Sequence, residues 1–361
     1  MRIVFTVTNE LHYDQRMMRI CDSLKDTGFD VELVGVRFAS SHPLRTRSFH
    51  QKRIRLFFKK GFGFYAEYNI RLFFYLLFQK MDIVCCVDLD TMLPCYFISI
   101  LRNKQRVYDA HEYFSQLKEI VQRPHVYKVW HYIERTFLPK FKNGYTVSES
   151  IAEEFEKLYG VHYEVIRNIP MLEDLKILPK KEKIILYQGS VNEARGFEYL
   201  IPAMKFVNAQ LHIYGGGNFL EQTKELIKNN GVNDKVFLKG KVVPSALKEI
   251  TSLAYIGINL VENTGLNQYY SLANKFFDYI HHSLPQVSMD FPEYRKINEQ
   301  FEVAVLIKDM NVNNVSGALN ELLNNETLYR RLQHNCLLAR EEYRWQKEEI
   351  TLYNFYKKLL G

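Results

Sequence analysis

The chain has 361 residues, 47% hydrophobic and 25% charged, with 25 Phe and 24 Tyr. That length exceeds one typical core, so two domains are the default, and the balance is that of a folded globular protein without low-complexity tracts or short repeats. The formal net charge is +7, but the interval between Glu32 and Glu67 holds eight Lys and Arg and no acid, so the rest of the chain is near neutral.

In chain order, a strand is expected at 2–7, where Met1 leads straight into RIVFTV without a signal peptide. A helix follows over about 14–27, with Met17, Ile20, Cys21 and Leu24 on one face and Gly28 as its stop; a strand at 31–36 completes a strand–helix–strand unit. Then comes the basic segment. Arg45, Arg47, Arg53, Arg55, Lys59 and Lys60 alternate with Phe49, Phe57, Phe58 and Phe62, which suits an anionic membrane surface or polyanion, or else a merely solvated basic face. No helix-turn-helix, RNP or zinc pattern supports nucleic acid. An aromatic helix is expected near 65–79, whose apolar run at 73–78 is too short to span a bilayer.

A strand at 82–87 delivers Asp88, Asp90 and Thr91, and a strand at 106–108 delivers Asp109, His111 and Glu112. Polar residues at the carboxyl ends of successive parallel strands mark the ligand side of a doubly wound sheet. A helix over 125–138, stopped by Pro139, a strand at 143–147 and a cap at Ser148 close the first half.

The charged, Pro-containing stretch 167–183 is a linker, after which the pattern restarts. A strand at 184–188 ends at Gly189 and Ser190, and one at 210–214 ends at Gly215, Gly216 and Gly217. Two more, at 235–238 and 255–261, end at Gly240 and Glu262. Glycines there let backbone approach a ligand, although a glycine triplet by itself signals no more than a tight turn. Residues 269–289 carry the most chemistry. Asn274 stands as an N-cap followed by Lys275, so the helix start has free N–H groups, a favourable dipole and a cation, which together suit a diphosphate. Asp278, one turn on, could accept hydrogen bonds from sugar hydroxyls; the plain alternative is a capped helix before a core strand. A helix after Trp345 returns to the first domain.

Several chemistries are disfavoured. Thr8-Asn9-Glu10-Leu11 follows the first strand in place of GxGxxG, and no Walker A, HExxH or GxSxG occurs. Adjacent His281 and His282 cannot share a helix face, so no metal site is expected. Cys21, Cys85, Cys86, Cys95 and Cys336 form no CxxC pair and read as reduced thiols of a cytosolic protein.

Taken together, these residues resemble the GT-B glycosyltransferases, and within them glycosyltransferase family 4, over nearly the whole chain. VTNELHYDQRMMRICDSLKDTGFDVELVG resembles the family's opening, VYDAHEYFSQ its active-site histidine motif, and LYQGSVNEARGFEYLIPAM its donor phosphate loop. LHIYGGG and VFLKGKV resemble the strands flanking the base, and SLANKFFDYIHHSLPQVSMDFPE resembles the PNKLFEY-type variant of the Glu–x7–Glu motif. The resemblance implies two Rossmann-like α/β domains facing across a cleft: 1–167 on the acceptor side, 168–340 for the nucleotide sugar, and 341–361 as a helix returning to the first. It implies a retaining, metal-independent transfer of sugar from a nucleoside-diphosphate sugar to a glycan or lipid-linked acceptor, as in polysaccharide biosynthesis. The enzyme would be cytoplasmic, with a peripheral seat on the inner face of the cell membrane. His111 would be catalytic. Gly189, Ser190, Arg195, Gly215, Gly216, Tyr270, Asn274, Lys275 and Asp278 would bind donor, and Asp14 and Asp90 would face acceptor. Here Ser190 replaces a frequent Arg, Ala273 a Pro, Tyr270 the first Glu and Asp278 the second. A GT-B epimerase or hydrolase and a non-catalytic sugar-binding subunit are the alternatives.

Overall fold

A computed structural model describes residues 1–12, 14–39, 41–174, 180 and 182–359. The chain divides into two units, Met1–Arg167 with Glu348–Gly361, and Asn168–Lys347.

The first unit holds β1 (Arg2–Thr6), β2 (Asp30–Arg37), β3 (His50–Arg55), β4 (Ile83–Val87), β5 (Gln105–Ala110), β6 (Gly144–Thr146) and β7 (Glu164–Val165), in spatial order β3-β2-β1-β4-β5-β6-β7. Every ladder is parallel. Helices cover both faces, which is why the inner strands are apolar throughout rather than alternating: all five residues of β4, IVCCV, are buried. The first helix, Gln15–Asp26, is capped by Asp14 and buries Met17, Ile20, Cys21 and Leu24. The helix Trp345–Lys358 brings Tyr356 against Phe5 and within 3.3 Å of the Tyr145 hydroxyl, sealing this core.

One element was not foreseen. Part of the basic segment forms β3, an edge strand in register with β2 from Glu32↔His50 to Arg37↔Arg55. A cationic edge discourages pairing with another chain, which is an ordinary use of charge on a strand. Arg53 is largely buried, donating to Glu10 at 3.0 Å and to the His42 carbonyl at 2.8 Å. Arg47 pairs with Asp22 at 3.6 Å. These two arginines therefore leave the expected anionic-surface set, because acids distant in sequence neutralise them. Arg45, Arg55, Lys59 and Lys60 remain exposed.

The second unit holds β8 (Ile184–Gln188), β9 (Gln210–Tyr214), β10 (Val236–Gly240), β11 (Ile256–Asn259), β12 (Gln286–Met289) and β13 (Ala304–Ile307), ordered β10-β9-β8-β11-β12-β13. Ile185, Tyr187, Leu211, Ile258 and Val287 lie in its core with Phe276 and Phe277 from the helix Asn274–His281. In each unit the strand order reverses once, between β1 and β4 and between β8 and β11. The crevice outside the carboxyl ends of such strands is where doubly wound sheets hold ligands. All five cysteines are free and buried.

Candidate active site

In the second unit, β8 and β9 end in loops that lie directly on each other. Gly189 has φ +126° and Gly215 φ +151°, and a Cβ on Gly215 would collide with the Gly189 carbonyl. The glycine triplet is thus a packing requirement between two strand ends, more than a tight turn. It leaves Gly189 and Ser190 exposed beside Gly216, whose carbonyl accepts from the Val191 N–H at 3.2 Å.

The helix Asn274–His281 starts at this rim. Its N-cap is Ala273, not Asn274, and no side chain caps it. The Ala273 N–H is fixed on the Tyr294 hydroxyl at 3.0 Å, which sets the cap one residue early, and the Asn274 side chain instead accepts from Asn168 at 2.9 Å. The expected Asn274 cap is therefore corrected, and the consequence favours anion binding: first-turn N–H groups keep no side-chain acceptor.

Lys275 places its ammonium 3.8 Å from the Tyr187 ring centroid, and a Cβ on Gly189 would be 3.6 Å from Nζ. Burial, then the neighbouring Arg195, pushes Lys275 well below an ordinary lysine pKa, against the opposing pull of Asp278. Arg195, half-buried, precedes Gly196, which starts the helix Phe197–Ala203. Among the described residues no carboxylate forms an ion pair with either cation. Two adjacent basic side chains, neither held in an ion pair, at an uncapped helix start form a place for a multiply charged anion.

Asp278 is oriented by a relay not anticipated from the sequence. Thr251 Oγ1 donates to Gln188 Oε1 at 2.8 Å, and Gln188 Nε2 donates to Asp278 Oδ2 at 2.9 Å. The available signal was Gln188 itself, a polar residue closing an apolar strand. Tyr270 follows the short helix Leu266–Tyr269, and its ring lies 5.5 Å from Tyr269. The structure thus brings Gly189, Ser190, Arg195, Gly215, Gly216, Lys275 and Asp278 to one strand-end rim, with Asn274 in the first turn of the helix that meets it, while Tyr270 is placed only beside Tyr269.

In the first unit, the ends of β4 and β5 form the second cluster. Asp88 has φ 58° and ψ 177°, a conformation that non-glycine residues avoid, held by the Glu112 N–H donating to Oδ1 at 3.0 Å. Its other oxygen is 4.0 Å from His111 Nδ1. Burial and then the nearby Arg16 lower His111 to about 4, so it is a neutral imidazole at physiological pH. Asp90 is buried and accepts from Thr8 Oγ1 at 2.5 Å, and burial raises it to about 7. Asp14 is occupied as a cap, accepting from the Met17 N–H at 3.0 Å and from Asn9 at 3.1 Å.

Beneath these lies a buried ion pair, Arg16 to Asp109 at 2.5 Å, also missed from the sequence. Arg16 Nε and Nη2 find no hydrogen-bond partner. Burial of the carboxylate outweighs the arginine and leaves Asp109 raised above the usual range. The polar groups here, a neutral histidine among carboxyl groups of reduced acidity, suit hydrogen bonding to hydroxyls better than binding a cation.

Comparison with known proteins matches these halves separately. The model of Glycosyltransferase Family 4 matches residues 15–171, and that of Glycosyl transferases group 1 matches residues 173–336. No curated protein matches the chain in sequence. Among solved structures, sucrose-phosphate synthase from Thermosynechococcus elongatus is similar with a TM-score of 0.82 at 14% identity, covering 99% of each chain. Anabaena HepE in complex with UDP-glucose is similar with a TM-score of 0.78 at 10% identity, over 99% of this chain and 100% of that one. WaaG, a glycosyltransferase involved in lipopolysaccharide biosynthesis, gives 0.76 at 15% identity over 98% of each. Those identities carry the fold alone; the two family models carry the membership. With consecutive domain models spanning nearly all of it, and two parallel-sheet units built as above, the chain belongs to the GT-B glycosyltransferases, in family 4.

Proposed function

We propose that the protein moves a sugar from a nucleoside-diphosphate sugar to a glycan or lipid-linked acceptor, with retention at the anomeric carbon and without a metal on the diphosphate. The observation that supports this most is the adjacent pair Arg195 and Lys275, neither held in an ion pair among the described residues, at the uncapped start of the helix Asn274–His281. The leaving group gains negative charge as its bond to the anomeric carbon breaks. Fixed cations and N–H groups stabilise that charge, which is the task a metal serves elsewhere. Gly189, Ser190, Gly215 and Gly216 provide backbone room for the phosphates. Asp278, aimed by Gln188, accepts from ribose hydroxyls, and Tyr270 and Asn274 border the same place.

In the first unit, His111 acts as a neutral hydrogen-bonding group to the donor sugar, not as a general base. The acceptor oxygen bonds to the anomeric carbon on the face the diphosphate leaves, and its proton passes to the departing phosphate oxygen. Asp14 and Asp90 orient the acceptor. Exclusion of water from this reaction limits hydrolysis. The exposed Arg45, Arg55, Lys59 and Lys60 meet an anionic surface, with the enzyme peripheral on the inner face of the cell membrane.

HepE is described with UDP-glucose and WaaG with lipopolysaccharide biosynthesis, so UDP sugars and lipid-linked glycans are the first substrates to try. Thermal-shift screening against UDP, GDP and ADP sugars, followed by NMR of the product anomer, tests the reading. An inverted product removes retention. Donor turnover to free sugar or an epimer without acceptor favours the epimerase or hydrolase, and absence of any donor binding favours a non-catalytic subunit.

A further inference from the structure

We propose that the outer face of the helix Gly61–Phe78, with the loop before it and the helix Met92–Leu101 beside it, is a docking surface that inserts aromatic side chains into an acidic lipid bilayer. This deepens the anionic-surface reading above and rests on it, but moves the seat from the basic strand to a helix.

The helix buries Phe64, Tyr68, Leu72 and Leu76 on its inner face. A helix on the outside of a domain normally turns polar residues to water on the opposite face. Here that face carries Phe62, Ile70, Phe74 and Phe78, with exposures of 83%, 59%, 57% and 80%. Their spacing in multiples of four places them along one stripe. The neighbouring helix Met92–Leu101 has no charged residue and exposes Phe97, Ile100 and Leu101. Seven exposed large apolar side chains on two neighbouring helices mark a surface that something covers.

The loop is built into the same surface. The Phe57 and Phe58 N–H groups donate to Glu67 at 2.9 Å, while both rings are exposed. Arg71 pairs with Glu67 at 2.8 Å and sits 5.1 Å from the Phe57 ring centroid. Glu67, the one acid of the helix, is thereby neutralised and largely covered. Exposed Lys59 and Lys60 stand at one end of the stripe and Lys80 beyond the other.

An apolar stripe with cations at both ends complements a bilayer whose headgroups are anionic and whose interior is apolar. A second copy of the chain fits less well, since two-fold pairing of this face sets cationic ends against cationic ends. No helix among the described residues is long and apolar enough to cross a membrane, so the seat is interfacial.

The test uses the full chain and sedimentation with vesicles of phosphatidylcholine alone or with phosphatidylglycerol. Acidic vesicles should bind, and part of that binding should survive salt high enough to screen the lysines. The pair Phe74→Ser and Phe78→Ser should lower the partition coefficient by more than about tenfold, since burying one phenylalanine is worth at least that factor. Phe74→Trp should shift its emission to the blue on binding. UDP affinity measured on the same samples should not change. Vesicle binding that salt abolishes and the serine pair leaves intact overturns the proposal in favour of adsorption by the basic strand. A dimer in solution that the serine pair dissociates, without vesicle binding, overturns it in favour of an interface between copies. Vesicle binding by a protein that binds no nucleotide upholds this docking surface and removes the transfer reading alone.

Discussion

Replacing Lys275 with Ala should separate the donor site from the fold. In the free protein Lys275 lies against Arg195 and the Tyr187 ring, with burial and Arg195 both disfavouring its charge. Deleting it removes a repulsion and only a few methylenes of packing, so the melting temperature should stay level or rise. On the proposed reading, the ammonium makes a charge-assisted hydrogen bond to the donor phosphate, worth about 1.5–3 kcal/mol. At about 1.4 kcal/mol per tenfold, the dissociation constant for UDP should rise by roughly 10- to 150-fold. The lowered pKa adds a signature. Phosphate favours the protonated lysine, so binding takes up protons, and affinity falls as pH rises through the free protein's lysine pKa. Calorimetry of UDP binding in buffers of different ionisation enthalpy reads this uptake directly, and the variant should lose it. Uridine, which carries no phosphate, is the control and should bind both proteins alike. An unchanged UDP constant, or equal losses for UDP and uridine, would refute the assignment of Lys275 to the diphosphate.

Asp278→Asn should weaken both UDP and uridine by about tenfold, because a carboxylate accepts hydroxyl donors better than an amide; Gln188→Ala should do so less, through lost aim, and calorimetry compares them. Asp90, raised to about 7 in the folded protein, titrates near 4 when unfolded, so its contribution to stability is present below about pH 4 and is lost as pH rises through about 7. Asp90→Asn should flatten that part of the pH profile and raise the melting temperature at pH 8 relative to the parent; an unchanged slope between pH 5 and 8 would argue against a buried acid. Arg16→Met leaves Asp109 buried and unpaired and should cost about 3–5 kcal/mol in denaturant unfolding, whereas the double change Arg16→Met, Asp109→Leu should recover much of it. His111→Ala should keep UDP affinity and lose turnover, read as product formation at saturating donor.

The strand ends were legible because a doubly wound sheet leaves its grammar in the chain: apolar runs closed by glycine or acid, as at Gly189, Gly215 and Asp88. The helix led by Asp14 was equally plain, since a cap and a 3.6-residue apolar period coincide there. Asn274 misled because Ala273 and Asn274 are both chemically acceptable starts, and the Tyr294 hydroxyl, 21 positions away from Ala273, decides between them. The strand β3 was invisible in HQKRIR because an edge strand is made by the ladder it joins, not by its own propensity. The Arg16–Asp109 pair joins residues 93 positions apart, and only the placement of β5 relative to the first helix brings them together. The outer face of the helix Gly61–Phe78 escaped for a related reason: a segment apolar on every side shows no period from which to tell inside from outside.

Tyr356 reaches the core of the first unit from the far end of the chain, and this bears on how the protein is made. On the ribosome, the second unit is complete once Lys347 has emerged, while the first, although synthesised earlier, still lacks part of its interior. Tyr145 and Phe5 wait for a partner that arrives after the second unit. Premature stops or bulky C-terminal fusions should therefore harm the amino-terminal half, leaving a folded second unit tethered to an unfinished neighbour.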